Sequence, residues 1–498
     1  MKKALFSLYD LSRVEILAEK LVEAGWEIIA SKETVAVLAR HRIPATDITG
    51  LTGYHEDLGF PPTLHPKIEH LLTGAGLKEG IDLVYVLPYP MSVGNDIGGR
   101  TLLALAAKGR RIPVMTLEDM ETVVAALADK GAINEDLHQK LLDKTNGLIG
   151  QHYLNLVKDQ TSYESIRAGY QYDLINGENP YQVPAALFST DTQDALSLGN
   201  LKRICGEKPC FTNLADSDAI IQTMCLCAQA FHLKYGKIPY ICVVAKHGNA
   251  CGLAIDWESP HQAIEKALFT NPRAIWGGEA IVNFPIDEAL AGVLLKSDKR
   301  QQILGSASWM LDVIIAPLFS QGAIEILGKR KERKLFANDA LLTPYLTRVP
   351  WTYRFVRGGF LRQPPAGFVA DFSSSRADVD SLIIAWAAAF SSNHGGNEVA
   401  LAKQGVLISC AGGPSTIEAA QIAVFKAKAL GADLASSVFA ADAFFPYTDA
   451  PAILVQEQVV AGVVPAGGKN FQEVKRFFED RGTDMFYLPE CYRGFCRH

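Results

Sequence analysis

A lysine and a histidine follow directly on an apolar run in Val243-Val244-Ala245-Lys246-His247-Gly248-Asn249-Ala250-Cys251-Gly252. The run from Ile241 to Val244 predicts a buried strand. Lys246 and His247 then stand at a strand end, where a rigid sheet holds two proton-active groups beside an open Gly-Asn…Gly loop. Imidazole as a group titrates near neutrality and suits a general base. An ammonium group suits a developing oxyanion or a leaving nitrogen. Taken alone, such a pair is more often a solvated lysine and a satisfied histidine, so the weight comes from the rest of the chain.

The elements that must position these groups follow an α/β rhythm. In the first 150 residues, strands are expected at 4–8, 27–30, 82–87 and 113–116, and helices at 13–24, 35–41 and 102–108. That alternation predicts a doubly wound parallel sheet, with ligands outside the carboxyl ends of its strands. The polar loops at those ends are Ser31-Lys32-Glu33-Thr34, Pro88-Tyr89-Pro90 and Asn95-Asp96-Ile97-Gly98-Gly99-Arg100; the last carries a Gly pair expected just before a helix, as either an anion cradle or a plain turn. A connector spans 151–190. Mixed α/β segments follow at 191–345 and 346–498, with strands at 241–244 and 406–409 and helices at 217–232, 383–390 and 417–429. A Pro- and Gly-bearing linker is expected at 344–371. The charge runs 296–300 and 329–334 are expected on a solvated surface.

Composition narrows the class. The chain has 498 residues, 48% hydrophobic and 20% charged, with a formal net charge of −6. That length implies two or three domains. No basic run suggests nucleic-acid binding, and no apolar run reaches membrane-spanning length. The N-terminal apolar stretch is too short for a signal peptide. Nine cysteines at irregular spacing suit reduced thiols and a cytoplasmic location. No Cys/His arrangement has zinc spacing.

Several motifs fall in order along the N-terminal region: Thr63-Leu64-His65-Pro66-Lys67, Asp82-Leu83-Val84…Tyr89-Pro90, Asp96-Ile97-Gly98-Gly99 and Ala106-Ala107-Lys108. Together they resemble the cyclohydrolase domain of the bifunctional AICAR transformylase/IMP cyclohydrolase family. The resemblance implies a methylglyoxal-synthase-like fold and places Tyr89, Asp96 and Lys108 among cyclisation and ligand-binding groups. It also exposes departures. Ser31-Lys32-Glu33-Thr34 lacks the glycines of the family's phosphate loop, and Glu33 repels a phosphate. Phe60-Pro61-Pro62 replaces Arg-Val-Lys, removing two cations.

The resemblance continues through the transformylase half. Asn176-Gly177-Glu178-Asn179-Pro180-Tyr181-Gln182 matches Arg-Tyr-Gly-Glu-Asn-Pro-His-Gln, with Ile175 where the phosphate-gripping Arg stands. Lys246-His247-Gly248-Asn249-Ala250-Cys251-Gly252 resembles Lys-His-Thr-Asn-Pro-Cys-Gly, the most specific signature. Pro272…Trp276-Gly277-Gly278 resembles Pro-Val-Ser-Ala-Phe-Gly-Gly, with Trp276 a pocket wall or an ordinary core aromatic. Asn397-Glu398-Val399-Ala400-Leu401-Ala402-Lys403-Gln404-Gly405 resembles Asn-Ala-Ile-Val-Leu-Ala-Lys-Asp-Gly, which assigns Asn397 to the family's site asparagine, with Asn393 as a rival. Ala441-Asp442-Ala443-Phe444-Phe445-Pro446-Tyr447-Thr448-Asp449 resembles Ser-Asp-Ala-Phe-Phe-Pro-Phe-Arg-Asp without its Arg. The terminal Arg493-Gly494-Phe495-Cys496-Arg497-His498 resembles Arg-His-Phe-Arg-His.

This half is therefore expected to fold as tandem cytidine-deaminase-like α/β subdomains. The resemblance implies a homodimer, small-molecule substrates and 10-formyltetrahydrofolate as co-substrate. No metal is required for that chemistry, because the formyl carbon is already electrophilic, and the deaminase zinc signatures are absent. The implied catalytic set is Lys246, His247 and Asn397. The implied substrate and folate contacts are Asn179, Asn213, Trp276, Gly277, Asp312, Asp442, Phe444, Arg493 and His498. Retained formyl-transfer groups beside lost phosphate-binding cations lead to a formyltransferase acting on AICAR or another amine, with the N-terminal cyclisation impaired or repurposed. Full bifunctional purine synthesis and a non-catalytic folate- or nucleotide-binding paralogue are the alternatives.

Overall fold

The computed structural model describes residues 2–54, 63–74, 79–157, 164–166, 168–190, 193–346, 349–372 and 378–494. Phe60-Pro61-Pro62 and His498 lie outside them. The chain forms two compact units, Met1–Arg167 and Ala168–His498. The boundary falls inside the stretch expected as a connector: the helix Glu135–Asn155 belongs to the first unit, and the hairpin of Gly169–Asp173 with Ala186–Ser189 opens the second.

The first unit is a five-stranded parallel sheet. Its order is Thr46–Asp47, Trp26–Ala30, Lys2–Leu8, Leu83–Leu87, Ile112–Val114. Side chains alternate between two cores, as the two-residue strand period requires. Ala4, Phe6, Leu83 and Tyr85 pack with the helices Val14–Glu23 and Leu117–Lys130 on one face. Leu5, Val84 and Val86 pack with Pro66–Thr73 and Ile97–Lys108 on the other. The strand order reverses between Lys2–Leu8 and Leu83–Leu87, so the crevice lies where Tyr9 and Tyr89 meet edge to face at 6.3 Å.

Two expected loops are helix starts instead. The helix Lys32–Arg40 begins at Lys32, so Lys32, Glu33 and the buried Thr34 form its first turn. The helix Ile97–Lys108 takes in both Gly98 and Gly99. Asp96 caps it by accepting Gly99 N–H at 2.7 Å, and a Cβ on Gly99 would stand 2.8 Å from Val86 Cγ1. The Gly pair thus serves close packing and a cap rather than an open anion cradle.

The second unit is built on one eleven-stranded mixed sheet. One strand, Lys202–Cys205, lies antiparallel to Lys334–Ala337 at one edge, and the other ten form two copies of one pattern: a long helix, an antiparallel hairpin, then parallel strands. The first copy has the helix Phe211–Tyr235, the hairpin Tyr240–Lys246/Asn249–Asp256 and the strands Glu279–Val282, Val313–Ala316 and Lys334–Ala337. The second has Val379–Ser391, the hairpin Asn397–Lys403/Val406–Gly413 and the strands Val438–Ala441, Ala461–Pro465 and Asp484–Leu488. The copies join edge to edge, Ala254 opposite Val406. Their long helices share one core and meet where Thr223 Oγ1 and Ser391 Oγ lie 2.7 Å apart. The 352–363 part of the expected linker forms a small hairpin, Thr352–Val356 with Gly359–Gln363.

The expected surface runs are partly buried. Arg300 lies under Trp309, its guanidinium carbon 5.0 Å from the ring centroid, and donates to Ser306 O at 2.6 Å. Arg333 is 3% exposed and donates to Leu311 O and Leu327 O. A guanidinium satisfies several carbonyls at once and is tolerated inside for that reason.

Gly252 sits at a bulge in Asn249–Asp256, where the helix Pro260–Thr270 presses on the strand. A Cβ there would lie 2.2 Å from Ala267 O. Gly252→Ala is expected to destabilise the unit by ~2–3 kcal/mol through overpacking, read as a lower urea midpoint at unchanged slope. An unchanged midpoint would mean the helix yields.

Candidate functional site

The first hairpin turns on two residues, His247 and Gly248, both with positive φ (54° and 71°). That is the primed turn whose twist matches antiparallel strands. The second copy repeats it at Gln404 and Gly405, φ 52° and 72°. Lys246 and Lys403 precede the two turns, but only the first carries a histidine. The turn is fixed from below: Asp216, on the helix Phe211–Tyr235, accepts the His247 backbone N–H at 2.9 Å.

Behind the turn lie two carboxyls. Asp216 and Glu279 are both raised in pKa by burial, and the Asp216 charge adds to the rise at Glu279. Asn213 donates to Glu279 Oε1 at 3.1 Å, which places Asn213 beneath the site. Lys246 Nζ donates to Trp276 O. A Cβ on Gly277 (φ 72°) would stand 3.8 Å from Lys246 Nζ and 3.6 Å from Asp312 Oδ2, so the ammonium and carboxylate flank that glycine. Arg330 holds Asp312 at 3.0 Å. Trp276 is 55% exposed, which rules out a core aromatic.

The second copy contributes to the same sheet end. Because the two central strands are antiparallel, the start of the second hairpin lies beside the turn of the first. Asn393 N–H donates to Asn249 Oδ1 at 2.7 Å, and Asn249 Nδ2 donates to Asn393 O at 3.2 Å and His247 O at 3.1 Å. Asn393 thus touches the histidine turn, whereas Asn397 Nδ2 donates to Gly413 O at 3.3 Å.

Asp442, Phe444 and Arg493 form a further group at that end. Asp442 is fully buried; its Oδ1 accepts Glu398 N–H at 2.8 Å, and its carbonyl accepts Gly494 N–H at 3.0 Å. Burial, with Glu398 adding to it, pushes its pKa up to about 8. Arg493 lies 5.5 Å from the Phe444 ring centroid. From the first hairpin's lysine strand to Val438–Ala441 is four strand steps, ~19 Å. The two groups are neighbouring stations along one sheet edge rather than a single pocket. Asn179 stands in an exposed loop braced by Gln182 Oε1, and that loop meets the start of Phe211–Tyr235 through Phe211 N–H to Asn176 O at 3.1 Å.

In the first unit, Tyr89 and Asp96 are adjacent: Asp96 Oδ2 accepts Tyr89 N–H at 3.3 Å. His152 reaches Asn95 Oδ1 at 2.7 Å, and burial, then Arg100, lowers its pKa. Lys108 does not join them. It ends the 12-residue helix that Asp96 begins, ~18 Å away along the axis, and pairs with Glu69 at 3.8 Å.

A model of the "AICARFT/IMPCHase bienzyme" family matches residues 109–426. The bifunctional purine biosynthesis protein PurH of Thermotoga maritima is 30% identical over 98% of this chain and 99% of its own. The chain belongs to the AICARFT/IMPCHase bienzyme family. A solved structure described as "Crystal structure of ForH" aligns with 31% of this chain and 95% of its own, at 23% identity and a TM-score of 0.28, too slight a likeness to bear on the fold. Among the described residues no helix is long and apolar enough to cross a membrane.

Within this family framework, sequence reasoning missed Asp216, Glu279, His394 and Glu398. The signal was there for the two glutamates: each is a carboxylate leading directly into an apolar run, in Glu279-Ala280-Ile281-Val282 and Glu398-Val399-Ala400-Leu401.

Proposed function

We propose that the second unit transfers a formyl group from 10-formyltetrahydrofolate to an amine whose binding does not depend on a phosphate. The observation that carries this is the Lys246–His247 turn, held by Asp216 and flanked by Trp276, Gly277 and Asp312. The amine nitrogen attacks the formyl carbon and loses its proton to His247. Lys246 stabilises the oxyanion, then supplies a proton as the bond to the folate nitrogen breaks. Asn397, with Asn393 beside the turn, orients the acceptor. The family's two-subunit site makes a homodimer the expected assembly.

Ile175 supports the altered acceptor: it is 50% exposed and cannot grip a phosphate. In the first unit, Asp96 is engaged as a helix cap and Lys108 stands apart, which supports an impaired or repurposed cyclisation.

The test compares AICAR with the same molecule lacking its phosphate as acceptors. Similar kcat/KM for both is expected. Ile175→Arg is expected to raise the preference for the phosphorylated acceptor by about ten-fold or more, the effect of one charge-assisted hydrogen bond. A strong phosphate preference in the unaltered chain would overturn the reading.

A further inference from the structure

A cluster of metal-ligating side chains in the second copy lies beside Asn393, Asn397 and Asp442 but includes none of them: His394, Glu398 and Cys410, with one ligand atom from each within 4.8 Å of the others. The hairpin sets it up. Glu398 pairs with Gly412, and Ala400 with Cys410, so Glu398 and Cys410 are diagonal neighbours on one face. Gly412 leaves room for the carboxylate, since a Cβ there would lie 2.2 Å from Glu398 Oε1. The preceding loop turns back through Gly395 and Gly396, φ 109° and 154°. It brings His394 Nδ1 to 2.7 Å from Glu398 Oε2, and the Cys410 thiol approaches the same oxygen at 3.9 Å. His394 also donates its backbone N–H to Glu398 Oε1.

Glu398 is fully buried and Cys410 nearly so, while the His394 side chain is 22% exposed and leaves an entry path. The adjoining Asp442 keeps Oδ2 buried without a partner. The transformylase motif has alanine where Glu398 stands, so formyl transfer does not account for this carboxylate.

We propose that His394 Nδ1, a Glu398 carboxylate oxygen and the Cys410 thiolate hold a zinc-class divalent cation, with water in the fourth position on the exposed side. One imidazole, one carboxylate and one thiolate suit a borderline-soft tetrahedral ion. The two anions balance the dication, so no net charge is buried. On binding, the imidazole proton moves from Nδ1 to Nε2 and the thiol proton leaves to solvent, so affinity rises with pH. The ion ties the 393–396 loop to its hairpin, and Asn393 of that loop is bonded to Asn249 beside the histidine turn.

The full chain, stripped with a chelator, is titrated with Zn²⁺ by calorimetry and with Co²⁺ by absorption. One Zn²⁺ per chain and a thiolate-to-cobalt charge-transfer band are expected. Cys410→Ser is expected to abolish the band and weaken Zn²⁺ binding by ~100-fold or more. His394→Gln, in a half-exposed loop, is expected to weaken binding similarly with an unchanged melting temperature, and it carries the test if the serine variant does not fold. No stoichiometric Zn²⁺ uptake, a cobalt spectrum without the thiolate band, or variants that bind as the unaltered chain does would each overturn the proposal.

Discussion

Replacing His247 by asparagine is expected to lower formyl-transfer turnover by ~10²–10⁴-fold, the usual contribution of a positioned general base, while leaving the fold intact. The separation is possible because of the turn. His247 occupies a left-handed conformation, φ 54°, which asparagine adopts more readily than other residues with a Cβ. The backbone N–H to Asp216 survives the change, so the hairpin keeps its anchor while the imidazole is lost. The measurement is kcat with saturating folate and acceptor, beside a melting curve. A collapse in kcat with an unchanged melting temperature supports the base role. Unchanged turnover removes His247 from the chemistry.

Asp442→Asn is expected to stabilise the protein at alkaline pH and to remove part of its pH dependence. The two sheet halves supply the comparison. In the first copy Asn283 occupies the matching place: its Oδ1 accepts Ile241 N–H at 2.7 Å and its Nδ2 donates to Pro239 O at 2.9 Å. In the second copy Asp442 accepts Glu398 N–H in the same way, but Oδ2 finds no partner. An asparagine there places an amide N–H₂ where Asp442 has the unpartnered Oδ2, as Asn283 does in the first copy.

The sign follows from the raised pKa, about 8 in the fold against ~4 unfolded. Below pH 4 both states are protonated and the contribution of this group is fully present. Between pH 4 and 8 the unfolded chain releases the proton and the fold keeps it, so stability falls as pH rises, then levels off. By pH 8 the asparagine variant is expected to exceed the unaltered protein by ~2–4 kcal/mol, a discounted share of ~1.4 kcal/mol per pH unit. Urea unfolding at pH 5 and pH 8.5 reads it. A variant less stable at pH 8.5 would show that the carboxylate is compensated. Some slope remains in the variant, because Glu279 is raised in the same direction.

The α/β rhythm of the first unit was legible because parallel, doubly covered strands are short continuous apolar runs, as in Leu83-Val84-Tyr85-Val86-Leu87. The histidine turn was legible from one contiguous motif. What stayed hidden depends on register and on pairs far apart in the chain. Asn393 meets Asn249 across 144 residues, and that contact arises only because the two copies join edge to edge. Glu398 and Cys410 become neighbours only through hairpin pairing, so no zinc spacing appears in the sequence. Lys108 shows the converse: it follows Asp96 in one run of motifs but stands a helix length away in space. The buried Arg300 and Arg333 were hidden because a charge run does not reveal which guanidinium finds carbonyl partners.

The most direct measurement is tetrahydrofolate release from 10-formyltetrahydrofolate, followed spectroscopically and paired with the mass of the product. The acceptors are AICAR, its form without phosphate, and a panel of non-phosphorylated aromatic amines. The expected result is stoichiometric release with a product heavier by one formyl group, lost in His247→Asn, and no cyclised IMP from AICAR. Folate binding without release across every acceptor would contradict formyl transfer and leave a protein that binds the co-substrate without using it.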